Sequence, residues 1–244
     1  RLSVVRTFAR HLSSTEPRHQ IPPTDMLAAR QRRTPHIYTD QEIGSLLDAM
    51  LAVRSAKGLH RWTYYCIFGL LAVTGLRIGE ALRLKRDDAD LEAGLLTIRD
   101  TKFGKSRLVP IHSTTVAILT DYMKRRDALF PTPISPTFFV GEQGRALNHS
   151  AVHLIFRTVA RQMGLRRPGD AYRGPRIYDL RHSYAVATLL RWYRAGDDVE
   201  QRLPVLSTYL GHSHTSSSYW YLSACPELME HAARRLDARW EQAS

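Results

Sequence analysis

One break in rhythm constrains this chain more than any other feature. From Thr39 to Trp240 apolar residues recur at the spacing of amphipathic helices, except across residues 95–111. There two short β-rich runs, 95–99 and 107–111, flank a segment, 101–105, that holds one Gly and two Lys. That is the pattern of a β-hairpin with a basic turn. The expected fold class is therefore mainly α with a small antiparallel β-sheet.

Local signals place the helices around it. Thr39 is a good N-cap and Glu42, three residues on, completes a capping box. The helix it opens carries Ile43, Leu46, Leu47, Met50 and Leu51 on its apolar face. A second helix is expected over 59–73, stopped at Thr74-Gly75, and a short one over 77–84. Beyond the hairpin, helices are expected over 114–129, 148–163, 178–193, 203–210 and 227–240, with an exposed Arg-rich loop over 161–176. At the N-terminal end Val4, Val5, Phe8 and Leu12 form a helical stripe, and the following Pro-, Arg- and Thr-rich stretch reads as a linker. The expected division is 1–12 as the last helix of a truncated N-terminal domain, 13–37 as linker and 38–244 as the main domain. A simple N-terminal arm is the alternative for the first helix.

Charge narrows the partner. Lys and Arg number 35 against 23 Asp and Glu, a net charge of +12, although the overall composition is ordinary for a globular protein. Such an excess favours a polyanion, because neutralising phosphates releases condensed counterions. Charge alone leaves ribosomal, RNA-binding and membrane-surface proteins open. The two cysteines, Cys66 and Cys225, form neither a CxxC pair nor a disulfide framework, which fits a reducing cytoplasm. The longest apolar run, 66–73, is far short of the roughly 20 residues a bilayer span needs, so no membrane association is expected.

Each candidate for chemistry has a plainer reading when taken alone. Arg77 begins a helix after Gly75, where free N–H groups and a guanidinium would together favour an anion, with Glu80 one turn on to steady it. It would otherwise be a surface ion pair. Arg181 lies near the start of a helix whose Leu180, Tyr184 and Ala187 should pack inward, and alone reads as a solvated arginine. His182 reads as a structural, hydrogen-bonded histidine. His212 follows Gly211 in a turn, and with His214 it makes only a weak metal signal, having no ligand partner at the right spacing. Tyr219, Trp220 and Tyr221 form an aromatic run in which core packing is the ordinary expectation.

Together these pieces form a far more specific pattern. Thr74-Gly75-Leu76-Arg77-Ile78-Gly79-Glu80-Ala81-Leu82 resembles the first arginine box of the tyrosine recombinase (phage integrase) family. Asp179-Leu180-Arg181-His182-Ser183-Tyr184-Ala185 resembles its second, and Leu210-Gly211-His212-Ser213 its Leu-Gly-His turn. The family's nucleophilic tyrosine stands nine positions after that histidine, which selects Tyr221. The hairpin resembles the one bearing the family's lysine. Alignment on Arg107-Leu108-Val109-Pro110 places that lysine at Lys102, with Lys105 the alternate. Where the family usually has His, three residues before the second arginine, this chain has Tyr178. A phenol, with pKa about 10, is a poorer proton shuttle than an imidazole.

The resemblance implies the integrase catalytic-domain fold and site-specific strand exchange on double-stranded DNA, in integration, excision, transposition or resolution. It implies a covalent 3′-phosphotyrosine on Tyr221, Arg77, Arg181 and His212 stabilising the phosphate, and Lys102 as general acid. No metal, cofactor or ATP is implied. The expected setting is the bacterial cytoplasm, on DNA of a mobile element, as a homo-oligomer in a tetrameric synapse. The 227–240 helix, with Leu228, Met229, Leu236 and Trp240, would dock on a neighbouring protomer or pack at home. The other classes open to the sequence are a type IB topoisomerase, an inactive DNA-binding relative and a metal-dependent nuclease.

Overall fold

The computed structural model describes residues 2–23, 26, 33–99, 106–167, 174–211, 221, 227–230 and 233. The chain divides into two compact units, Arg1–Thr34 and Pro35–Ser244. In the first, α1 (Leu2–Thr15) runs a turn beyond the expected stripe and exposes Val4, Val5 and Phe8. Arg6 Nε donates to the Pro22 carbonyl, folding the Pro-rich stretch back on this helix.

The second unit is helical around a three-stranded sheet. α2 (Asp40–Leu51) opens with the full Thr39–Glu42 capping box, each partner satisfying a donor the helix start leaves free. α3 (Leu59–Thr74) is buried along most of its length and ends at Gly75. The short α4 (Ile78–Arg83) leads through a 3-10 turn, Arg86–Asp88, into the sheet. β1 (Ala89–Asp90) is a two-residue edge strand, too short for a periodic sequence signal. It pairs antiparallel with β2 (Leu95–Ile98), which pairs with β3 (Arg107–Pro110) in the order β1-β2-β3. The register sets Leu96 opposite Val109 and Ile98 opposite Arg107. Leu96, Ile98 and Val109 face the core. Because side chains alternate along a strand, Arg107 shares the inner face with Val109 while Leu108 points out.

α5 (Ser113–Leu129) and α6 (His149–Gln162) follow, the latter capped by Asn148, and then α7 (Ile177–Arg194) and α8 (Val199–Leu210). α8 begins four residues before the expected position 203. Asp198 accepts from the Glu200 and Gln201 amides, and Val199, Leu203 and Leu206 bury the extra turn despite Pro204 inside it. α7 also departs from expectation. Ala187 is exposed, whereas Arg181 is 1% exposed and His182 is buried, because α7 packs against both α3 and α8 and is covered around most of its girth.

Two apolar clusters result. The larger joins α2 to α6 and the sheet to the start of α7; the smaller joins the rest of α7, α8, Tyr221 and Leu228, and Tyr209 packs against both. Polar groups gather at the seam between them. Among the described residues no helix is long and apolar enough to cross a membrane.

Candidate active site

The site is built on the end of α8. A helix leaves its last carbonyls without intrahelical partners, and its dipole makes that end negative. Gly211 terminates α8 in the left-handed conformation, φ +67°. Three consecutive carbonyls there each accept from a different arginine. Tyr209 O takes Arg107 Nε at 2.7 Å, Leu210 O takes Arg181 Nη2, and Gly211 O takes Arg77 Nη2 at 3.0 Å. Guanidiniums from β3, α7 and the cap of α4 are gathered by one helix end.

Glu80 ties two of them together. Its carboxylate accepts from Arg77 Nη1 at 2.8 Å and from the Arg77 amide at 3.0 Å, and from Arg107 Nη1 and Nη2 at 3.1 and 2.8 Å. Burial disfavours its charge, but hydrogen bonds from Arg107 and Arg77 outweigh that and hold the carboxyl down at about 2. The Arg77–Glu80 pair expected from one-turn spacing is therefore present. The Arg107 half was not foreseen, because Arg107 reads only as a landmark beside the hairpin. Its partners lie 27 and 102 residues away in sequence, so no local signal marks them.

Arg181 is held from the other side. Its Nη1 donates 2.7 Å to the carbonyl of Gly75, which has φ +62°; a Cβ there would stand 2.7 Å from Tyr184 Cδ1. The glycine lets the end of α3 approach α7 closely enough for that bond. The Arg181 guanidinium also stands near enough to the Tyr221 hydroxyl to act on it, and its Nε has no acceptor among the described residues. Burial pushes the Tyr221 hydroxyl above its ordinary value, while the charges of Arg181 and Arg77 pull it back.

An aromatic column flanks the nucleophile candidate. The His182 ring meets Tyr221 edge-on at 5.4 Å, and Tyr178 meets His182 edge-on at 4.8 Å. Tyr178 is 43% exposed and Tyr221 only 2%. Arg77, Arg181, Tyr178 and Tyr221 are thus brought to one place. His212, Lys102 and Lys105 lie outside the described residues, as do Tyr219, Trp220, His214 and most of the 227–240 segment, of which 227–230 is helical. Among the described residues no group of His, Cys, Asp or Glu is placed to hold a metal ion.

Comparison with known proteins bears on the family and the fold. The model of the phage integrase family matches residues 37–227. The provisionally named integrase/recombinase y4rB of Sinorhizobium fredii is 49% identical over 99% of this chain and 78% of its own length. The crystal structure of XerA recombinase superposes with a TM-score of 0.64 at 21% identity, covering 96% of this chain and 73% of that one. The Tn1549 transposon integrase, in complex with transposon right end DNA, superposes with a TM-score of 0.68 at 15% identity over 97% and 78% of the two chains. These structural likenesses bear on the fold, which is that of tyrosine recombinase catalytic domains. The extent of the family match and the identity to y4rB make this chain a member of the phage integrase family, a tyrosine recombinase.

Proposed function

We propose that the protein breaks and rejoins DNA at specific sites through a covalent 3′-phosphotyrosine on Tyr221, without metal or ATP. The observation that carries this is the meeting of two guanidiniums, on adjacent carbonyls of one helix end, beside the Tyr221 hydroxyl. Phosphoryl transfer asks mainly for positioning and for stabilisation of charge on the nonbridging oxygens. Arg77 and Arg181 are fixed cations for that charge, with His212 as a third donor.

Tyr221 Oη attacks phosphorus and releases its proton to water. The Tyr–O–P bond forms as the P–O5′ bond breaks, and the 5′-oxygen leaves as a hydroxyl with a proton from Lys102, an acid that arginine could not replace. The reverse attack by a 5′-hydroxyl of another strand reseals the break, since the phosphotyrosine conserves the bond energy. Tyr178 donates a hydrogen bond toward a phosphate oxygen in place of the usual imidazole. The surplus positive charge and the DNA-bound Tn1549 relative support duplex DNA as partner. Strand exchange requires several protomers on that DNA, in a tetrameric synapse.

Incubation with nicked suicide duplexes tests the reading. The wild-type protein should form a covalent adduct that survives EDTA. Tyr221→Phe should bind DNA with unchanged affinity and form none. An adduct on the Phe variant sinks the assignment, and loss of the wild-type adduct in EDTA sinks the metal-free mechanism.

A further inference from the structure

We infer that Arg107 is a positioning residue for cleavage, the brace that fixes Arg77 in register with the end of α8. The inference rests on the phosphoryl-transfer reading above and adds to it a residue with no place in that chemistry.

Arg107 stands at the start of β3, on the strand's inner face, and its side chain is 11% exposed. All three guanidinium nitrogens are committed. Nη1 and Nη2 meet the two oxygens of Glu80, and Nε meets the Tyr209 carbonyl. Three of its five N–H groups are thus engaged, and with so little of the side chain exposed the fork is turned to protein rather than to solvent. What it does is join three separate elements: the sheet, through its own backbone; α4, through Glu80; and α8, through Tyr209. Arg77, by contrast, has one hydrogen bond from Nη1 to Glu80, one from Nη2 to Gly211, and a side chain 30% exposed. Both acceptors of Arg77 thus sit on structure that Arg107 holds. Glu80 is a bond partner of both arginines, and Gly211 lies two residues beyond Tyr209.

Packing gives the same picture independently. A Cβ on Gly211 would lie 2.8 Å from Arg107 Nη1 and 3.1 Å from its Cζ. The α8 terminus and the guanidinium are in van der Waals contact as well as hydrogen-bonded, so neither can shift without the other. Lysine could not substitute. A single ammonium cannot bond both carboxylate oxygens and a carbonyl in one plane.

A purely structural role and a role exerted through Arg77 differ in one measurable respect, the charge of the phosphate. Replacing one nonbridging oxygen of the scissile linkage by methyl gives a neutral methylphosphonate, whose transition state carries one negative charge less and depends less on a placed guanidinium. The substrates are nicked duplexes recovered from a randomised pool by their adducts with the wild-type protein, remade with either linkage. On the phosphodiester, Arg107→Gln should cleave about 100-fold more slowly, the loss typical of one displaced oxyanion donor. Its DNA affinity should stay within about threefold, since Arg107 makes no phosphate contact. On the methylphosphonate the loss should shrink to about tenfold or less. Arg107→Lys, which keeps charge and bulk in case the glutamine variant fails to fold, should show the same selective loss in milder form.

Full phosphodiester cleavage by either folded variant overturns the inference, and so does an equal loss on both linkages. In either outcome a wild-type adduct leaves the cleavage reading standing. A wild-type protein that forms no adduct with any duplex in the pool overturns that reading and the inference with it.

Discussion

Two clusters in this molecule use the same parts, a carboxylate between two arginines, to different ends. In one, Asp127 accepts from Arg86 Nη1 and Nη2 at 2.8 and 2.9 Å and from Arg126 Nε at 2.8 Å. Arg126 is 2% exposed, gives Nη1 to the Phe138 carbonyl, and lies over the Phe138 ring. These bonds all run to protein oxygens, so the cluster fastens α5 to neighbouring loops and ends. In the other, Glu80 stands between Arg77 and Arg107, and Arg181 joins them through the α8 carbonyls. Here three guanidiniums meet one carboxylate. The helix end offers only partial charges, so positive potential is left over beside Tyr221. Burial also differs. In the site the carboxylate is buried, its side chain 2% exposed, whereas in the anchor it is 37% exposed; each cluster has one arginine open to solvent, Arg77 and Arg86, and one largely sealed, Arg107 and Arg126. The anchor carries one positive charge in excess and the site two, and the site's excess lies beside the candidate nucleophile.

Neutralising each carboxylate should give the largest contrast. In Glu80→Gln the amide nitrogen must face a guanidinium, donor against donor, leaving a buried cation poorly paired. Such breaks cost about 3–5 kcal/mol. The variant should also lose adduct formation beyond its loss of folded protein, measured by single-turnover cleavage on the folded fraction. If Glu80→Gln cleaved normally once folded, the distinction between the two clusters would fail.

Acid should reproduce that effect more weakly. Glu80 is held at about 2 against an ordinary 4.5, so its contribution is complete above pH 4.5 and is lost as pH falls toward 2. The depression is worth on the order of 3 kcal/mol. The unfolding free energy of Glu80→Gln should therefore fall less between pH 4.5 and 2 than that of the wild type. Parallel stability curves over that window would show that Glu80 is not the group being protonated.

How much of this was legible in sequence depends on how local each cause is. The α2 capping box, the Gly75 stop and the β2–β3 pairing are written within a few residues and emerge as expected. α8 starts before the expected position 203 because Asp198 caps it and the apolar Val199 and Leu203 bury the extra turn. Arg181 reads as solvated from its own helix alone, since what buries it is α3 and α8. The resemblance named Arg77, Arg181 and Tyr221, but only as a pattern. Arg107 escaped altogether, because its meaning lies in Glu80 and Tyr209, which the fold brings to it.

Gly211 sharpens the contrast through backbone rather than charge. An alanine there takes on left-handed strain, about 1–2 kcal/mol, and presses on Arg107 at 2.8 Å. Gly196 is the internal control, since it has φ +74° and nothing within 4 Å of its missing Cβ. Gly196→Ala should show the strain alone, in thermal unfolding, with normal cleavage. Gly211→Ala should lose similar stability and also cleavage. Equal cleavage by the two variants would mean that Arg107 yields without disturbing Arg77.

Asp127→Asn carries the smallest expected effect and completes the comparison. Half-exposed ion pairs contribute little, and Arg126 keeps the Phe138 carbonyl and ring when the charge is removed. Stability should fall by about 1 kcal/mol, read as a small shift in the urea midpoint. Cleavage by the folded protein should be unchanged, because nothing in this cluster touches the α8 carbonyls. A cleavage defect in Asp127→Asn as large as that in Glu80→Gln would show that the loops it fastens bear on Arg77 after all, and that the charge left over beside Tyr221 is not what separates the two clusters.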